Sequence, residues 1–146
     1  MDLFDLFETS GDLETQGTWI NFGPCKACIA RSGGKNSEFA KAVAEETERL
    51  GKPELEGMSG EEVETIFTTA FCKTVITGHE VKNDKGKFVS GVQIRDKEGN
   101  KKVVPFNAKN METCLKQVPQ YYVELQERAS DYRTFRLKLV EEQEKN

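Results

Sequence analysis

The sequence predicts an α+β fold, mostly helical, with a small antiparallel β component. Three observations predict it. Apolar runs flank the pair Gly23-Pro24, and a second pair of runs near 88–104 flanks the polar stretch Asp96-Lys97-Glu98-Gly99-Asn100. Elsewhere apolar residues recur at helical spacing behind recognisable caps. The chain divides into a flexible N-terminal arm, residues 1–17, and a single compact domain, residues 18–146, whose last residues fray.

The arm is polar apart from Leu3, Phe4, Leu6 and Phe7, which make a small apolar anchor. Trp19, Ile20 and Phe22 then form an extended run. Gly23-Pro24 supplies a turn, because Pro fixes φ and Gly tolerates positive φ. Cys25 to Arg31 returns as the second strand, and Ser32-Gly33-Gly34 ends it. The first helix spans Asn36 to Leu50, with Asn36 or Ser37 as N-cap. Phe39, Val43, Glu46 and Leu50 share one face, and Gly51 and Pro53 stop it.

The second helix has the clearest local signature. Ser59 and Glu62 make a capping box, and Val63, Ile66, Phe67, Ala70, Phe71 and Thr74 follow at helical spacing. Gly78 is read as its end, and the stretch from His79 to Lys87 as a loop. Phe88–Arg95 and Lys101–Val104 read as a hairpin with Gly99 at positive φ. Asn107 caps a third helix. Pro119 either opens the last helix or kinks a continuous one. That helix carries Tyr122, Leu125, Ala129, Tyr132, Phe135 and Leu139 on one stripe. Glu141, Glu142 and Glu144 oppose its dipole, so its end frays.

Composition narrows the function classes. With 146 residues, 32% charged and 36% hydrophobic, the chain suits one domain with a modest core. A net charge of −4 argues against neutralising nucleic-acid phosphates or binding an anionic membrane. No run approaches a membrane span, and the acidic N-terminus lacks the basic start of a signal peptide. The expected setting is intracellular, with reduced thiols at Cys25, Cys28, Cys72 and Cys114.

Few residues invite a chemical reading. Cys25 and Cys28 are spaced to grip one zinc ion, but a structural site takes four ligands, and only a composite with Cys72 and His79 would supply them. The plainer reading places the two cysteines on opposite faces of a strand. His79 reads as a helix-end or loop residue rather than a base, and the Glu pairs as solvated helix faces. Ser32-Gly33-Gly34-Lys35 faintly resembles an anion nest. The lysines between 82 and 102 have no aromatic platform beside them in sequence. No catalytic, cofactor or metal residue is therefore expected, and no enzyme. The aromatic stripe of the last helix reads first as core. Alternatively, Tyr132 and Phe135 join Phe4 and Phe7 in a surface for an apolar partner helix.

The order of elements resembles the tail assembly chaperones of long-tailed bacteriophages. The match runs through Met1-Asp2-Leu3, Ile29-Ala30-Arg31, Val104-Pro105-Phe106-Asn107, Ala129, Tyr132, Phe135-Arg136 and Lys145-Asn146. It implies a non-enzymatic protein of the host cytoplasm. Its implied partner is the helical, aggregation-prone tape measure protein, with the tail tube protein as a further candidate, and it takes no cofactor. Two other classes stay open: a minor neck or tail protein retained in the particle, and a small zinc-binding regulator.

Overall fold

A computed structural model describes residues 2–51 and 57–137. The architecture is α+β, with 50% helix and 22% strand, so the β part is larger than a minor addition to a helical protein. Among the described residues no helix is long and apolar enough to cross a membrane. Leu139, Glu141, Glu142, Glu144, Pro53 and the frayed tail expected at the C-terminus lie outside the described residues.

The elements run α1 (Leu3–Phe7), α2 (Gly11–Gln16), β1 (Thr18–Asn21), β2 (Cys25–Ile29), α3 (Glu38–Arg49) and α4 (Gly60–Thr74), then β3 (Ile76–Lys82), β4 (Phe88–Ser90), β5 (Val92–Arg95) and β6 (Lys101–Val104), and last α5 (Ala108–Gln117), α6 (Pro119–Ser130) and a 3₁₀ turn (Tyr132–Phe135). Strands β1-β2-β3-β4 form one antiparallel sheet in that order, and β5-β6 form a separate hairpin. Helices α4 and α6 pack on one face of the larger sheet, and α5 packs on α4 and β5. The core between them is built from Ala27, Ile29, Phe71, Val75, Ile76, Val92, Met111, Leu115, Leu125 and Ala129.

Local chemistry places the helices. The Glu62 amide donates to Ser59 Oγ, and Glu62 Oε1 accepts from the Ser59 amide, so the capping box starts α4 as expected. Asn107 caps α5 by accepting from the Asn110 amide at 2.8 Å. For α3 the N-cap position is Ser37, but the side-chain acceptor is Asn36 Oδ1, which takes the Glu38 amide. Pro119 opens α6 at its first turn, where a missing N–H costs nothing.

Three sequence expectations need correction. Of the stretch read as a loop, only 83–87 is a turn: residues 79–82 belong to Ile76–Lys82, an inner strand of the sheet paired with both β2 and β4. A register shift between Cys28 and Ile29 accounts for its disguise. The buried residues of β3 are Ile76, His79 and Val81, so strict alternation is broken and the strand signal is lost. The run 88–95 is not one strand. Gly91 breaks it, and β4 pairs with β3 whereas β5 pairs with β6. A Cβ on Gly91 would lie 2.7 Å from Val103 Cγ1, so only glycine lets the chain pass from one sheet to the other there. Finally, the last helix ends at Ser130, before Tyr132 and Phe135.

Residues 2–17, read as a flexible arm, carry two short helices. Ser10 caps α2. The Glu14 carboxylate is fully buried and accepts from Thr9 Oγ1, Arg31 Nη1 and the Lys35 amide. Of the stretch Ser32-Gly33-Gly34-Lys35, the Lys35 amide donates to the chain's own Glu14. Gly34 has φ +59°, and a Cβ there would collide with both Arg31 and Glu14. Burial pushes the Glu14 pKa up, but the bonds from Arg31, Lys35 and Thr9 outweigh it and hold the carboxyl below its usual value.

Two outcomes follow. Glu14→Ala removes one partner of a buried ion pair and should lower unfolding stability by about 3 kcal/mol in urea titration. Gly34→Ala should destabilise through the same contact, and a neutral result for both would dissociate the N-terminal segment from the fold. Phe135→Ala, at a side chain with no exposure, should cost about 3–5 kcal/mol, far more than Tyr132→Ala at a half-buried ring.

Candidate functional site

The sequence singled out Phe4, Phe7, Tyr132 and Phe135 as a docking surface. The structure brings two of them into contact and separates the fourth. Phe7 and Tyr132 pack with tilted rings, their centroids 5.6 Å apart. Phe135 has no exposed surface, so it belongs to the core and not to a docking face. Both rings lie on the 3₁₀ turn that follows the end of α6 at Ser130, with Tyr132 half-buried and Phe135 fully buried.

Helix α1 is the exposed partner of this contact. Asp2 and Asp5 form a reciprocal capping box around it. Its apolar side chains face solvent, with Leu3 66%, Phe4 68%, Leu6 40% and Phe7 53% exposed, and none of its residues is buried. The backbone holds it in place from one side. Arg136 Nη2 donates to the Asp5 carbonyl at 2.8 Å, the Ser10 amide to the Phe135 carbonyl, and the Leu137 amide to the Glu8 carbonyl. The result is a short helix on a fixed stem with an apolar face turned outward.

The cysteine and histidine residues form a different kind of site. Cys25 and Cys28 do take opposite faces of β2. Cys25 donates to Tyr121 Oη on the helix-covered side, whereas Cys28 reaches the Gln16 carbonyl on the other. His79 is not at a helix end but in β3, 3% exposed. Its Nδ1 lies 2.8 Å from the Gly91 carbonyl, which can only accept, so the proton sits on Nδ1. Nε2 then accepts from Tyr121 Oη at 2.8 Å. Cys25, Tyr121, His79 and Gly91 thus form one directed chain of hydrogen bonds that joins β2, α6, β3 and the crossing between the sheets.

Burial sets the protonation of this region. It lowers the His79 pKa, against opposing effects of the Gly91 bond and Glu80. It raises the Tyr121 hydroxyl strongly, helped by Cys25. The Cys72 thiol is pushed up to about 12 and the Cys114 thiol to about 11, so both are poor nucleophiles and poor metal ligands as they stand. Among the described residues no three His, Cys, Asp or Glu side chains are grouped to hold a metal ion. The composite of Cys25, Cys28, Cys72 and His79 is not assembled.

The face of the sheet away from α4 and α6 is partly open, with the end of α2 over Cys28. Trp19, Lys26, Glu80, Lys82 and Phe88 lie on it. Lys26 Nζ sits 5.1 Å from the Trp19 ring and 4.8 Å from the Phe88 ring, and Lys82 Nζ lies 5.3 Å from Phe88. Beside it, the outer edge of β1 borders a groove of about 600 Å³ walled by Thr18, Trp19, Ile20, Arg128, Asp131, Arg133 and Thr134. Sequence reading missed this face because Trp19, Lys26 and Phe88 meet only through strand pairing. The signal that could have found it is the alternation Trp19/Asn21 against Thr18/Ile20.

No family model, curated protein or solved structure matches this chain. The functional reading therefore rests on the geometry above and on the order of sequence motifs.

The neutral imidazole has a measurable consequence. The His79 pKa lies below its ordinary 6.5 in the folded chain, so the unfolded chain binds a proton that the folded one refuses. Stability should be full above that pH and fall as the pH drops through it. Urea midpoints compared at about pH 7.5 and about pH 5.5 should show the loss. His79→Gln should remove it, His79 being the one histidine of the chain. Tyr121→Phe should cost about 1–2 kcal/mol by leaving Nε2 without a donor.

Proposed function

We propose that the protein is a non-enzymatic binding protein that covers apolar helical segments of a larger partner during assembly. The exposed apolar face of α1 carries the reading. Four large apolar side chains on a helix with no buried residue are costly to leave in water, at roughly 25 cal/mol per Å². A contiguous patch of this kind marks an interaction site, and an apolar helix is the complementary shape for it. The stem through Arg136 and the Phe7–Tyr132 contact keep the face presented rather than collapsed onto the domain.

The motif order supports a particular partner. It resembles that of phage tail assembly chaperones, and the proposed client is accordingly the tape measure protein, with the tail tube protein as a further contact and the host cytoplasm as the setting. Phe4, Phe7 and Tyr132 would seat the client's apolar stripe. The weak, renewable character of such contacts suits release when the tube polymerises. The residues shared in the motifs include core and cap positions: Ile29 and Ala30 are buried, Arg31 pairs with Glu14, and Asn107 caps α5.

Co-expression with a long helical tape-measure-like protein tests the reading. The client should be soluble with this protein and aggregate without it. The double variant Phe4→Ser/Phe7→Ser should melt within about 1 kcal/mol of the parent, since both rings are exposed, yet lose the client. A client equally soluble alone, or held equally by the double variant, would overturn it. Stoichiometric presence of the protein in purified particles would instead make it a structural component.

A further inference from the structure

The open face of the four-stranded sheet is independent of α1 and calls for its own occupant. We infer that it is a binding platform for single-stranded RNA, with Trp19 and Phe88 as stacking surfaces and Lys26 and Lys82 as phosphate contacts. The cross-strand register places Lys26 opposite Glu80 and Glu80 opposite Ser90, so these three form a polar row across one face. Trp19 lies beside that row. Its ring covers Gly78, where a Cβ would come within 2.9 Å of Trp19 Cη2, and it stays 47% exposed. Phe88 sits on the other side of Lys26. Both rings are within about 5 Å of one ammonium group, so neighbouring bases of a single strand can reach both.

Charge complementarity selects a polyanion. The chain carries a net −4, yet this surface and its margins run the other way. Lys85 and Lys87 follow Lys82 in the turn between β3 and β4, and Arg128 and Arg133 line the groove beside Trp19. With Lys26 these make six cations against three carboxylates, Glu80, Asp84 and Asp131, of which Glu80 pairs with Lys26 and Asp131 with Arg133. Cations held over aromatic rings are already positioned to pass to a phosphate when a base replaces them on the ring.

The same observations choose a single strand and ribose. Bases stacked inside a duplex offer no free face to Trp19 or Phe88. Glu80 is an acceptor in the middle of a cationic face, with its side chain 28% exposed and Lys26 as partner, and Ser90 next to it is exposed. A 2′-hydroxyl donates to such a carboxylate, whereas a phosphate is repelled by it. Deoxyribose supplies no such donor.

The one tryptophan of the chain is in the site, so its emission reports occupancy directly. The full protein would be titrated with a uridine oligonucleotide of about 20 residues at about 50 mM salt. Saturable quenching is expected. With two phosphate contacts the affinity should fall roughly 7-fold between about 50 and about 200 mM salt. Phe88→Ala should weaken binding at least about 5-fold through lost stacking. Lys26→Gln/Lys82→Gln, both on partly exposed stems, should do the same and flatten the salt dependence, which keeps the test intact if the Phe88 variant fails to fold. The matching deoxyoligonucleotide should bind at least about 5-fold more weakly. Absence of quenching overturns the inference. So does equal binding of the deoxyoligonucleotide, of inorganic polyphosphate of equal charge, or of an acidic peptide, the last of which would make the face a protein-docking surface.

Discussion

The neutral side chain of His79 is the constraint on which the rest of the structure depends. It stands in an inner strand, where β2 and β4 pair on either side, and its two nitrogens bond to different elements. One donates to the carbonyl of Gly91, the residue at which the chain leaves the larger sheet for the β5-β6 hairpin. The other accepts from Tyr121 and so ties α6 to the same strand. A buried polar group without partners is expensive, so an arrangement that satisfies both nitrogens is strongly preferred over alternatives that satisfy one. Sheet, crossing and helix are thereby held in one geometry, with Cys25 completing the chain as a donor to Tyr121.

A second buried group does comparable service at the other end of the molecule. Glu14 has no exposed surface, and its carboxylate collects bonds from the N-terminal segment, from the strand end at Arg31 and from the glycine-containing turn at Lys35. This fixes α2 against the sheet, and α1 is then carried on a stem bonded to the segment after α6. The energetic logic is uneven by design of the sequence. The Glu14 carboxylate and the His79 ring are satisfied inside, while Leu3, Phe4, Leu6 and Phe7 are left outside. An apolar face that the domain does not cover is available to something else, and the anchoring keeps it from folding back.

Much of the local structure was legible in the sequence, and the reasons are local. Ser59 and Glu62 are near neighbours that satisfy each other's backbone, so no distant residue could change the start of α4. Asn107, Pro119 and Gly99 act the same way at the start of α5, the start of α6 and the β5-β6 turn, where Gly99 adopts φ +85°. Strand β3 was not legible. Its burial pattern follows a register shift in its partner, and its central buried residue is a histidine, which carries no apolar signal. Of the residues named as a candidate site from pattern, Phe4 and Phe7 are exposed and Tyr132 half-buried, whereas Phe135 is core, because spacing alone does not say which ring of a stripe the domain covers.

The sequence by itself determined where helices begin, where the chain turns, and that its class is α+β, because those outcomes turn on residues a few positions apart. Tertiary structure alone decided which strands are inner, which cysteine faces which side, that an imidazole is buried neutral, and that Trp19, Lys26 and Phe88 share one face. Each of these depends on groups brought together across dozens of residues. Their pairing is set by desolvation and register, which no short stretch of sequence contains.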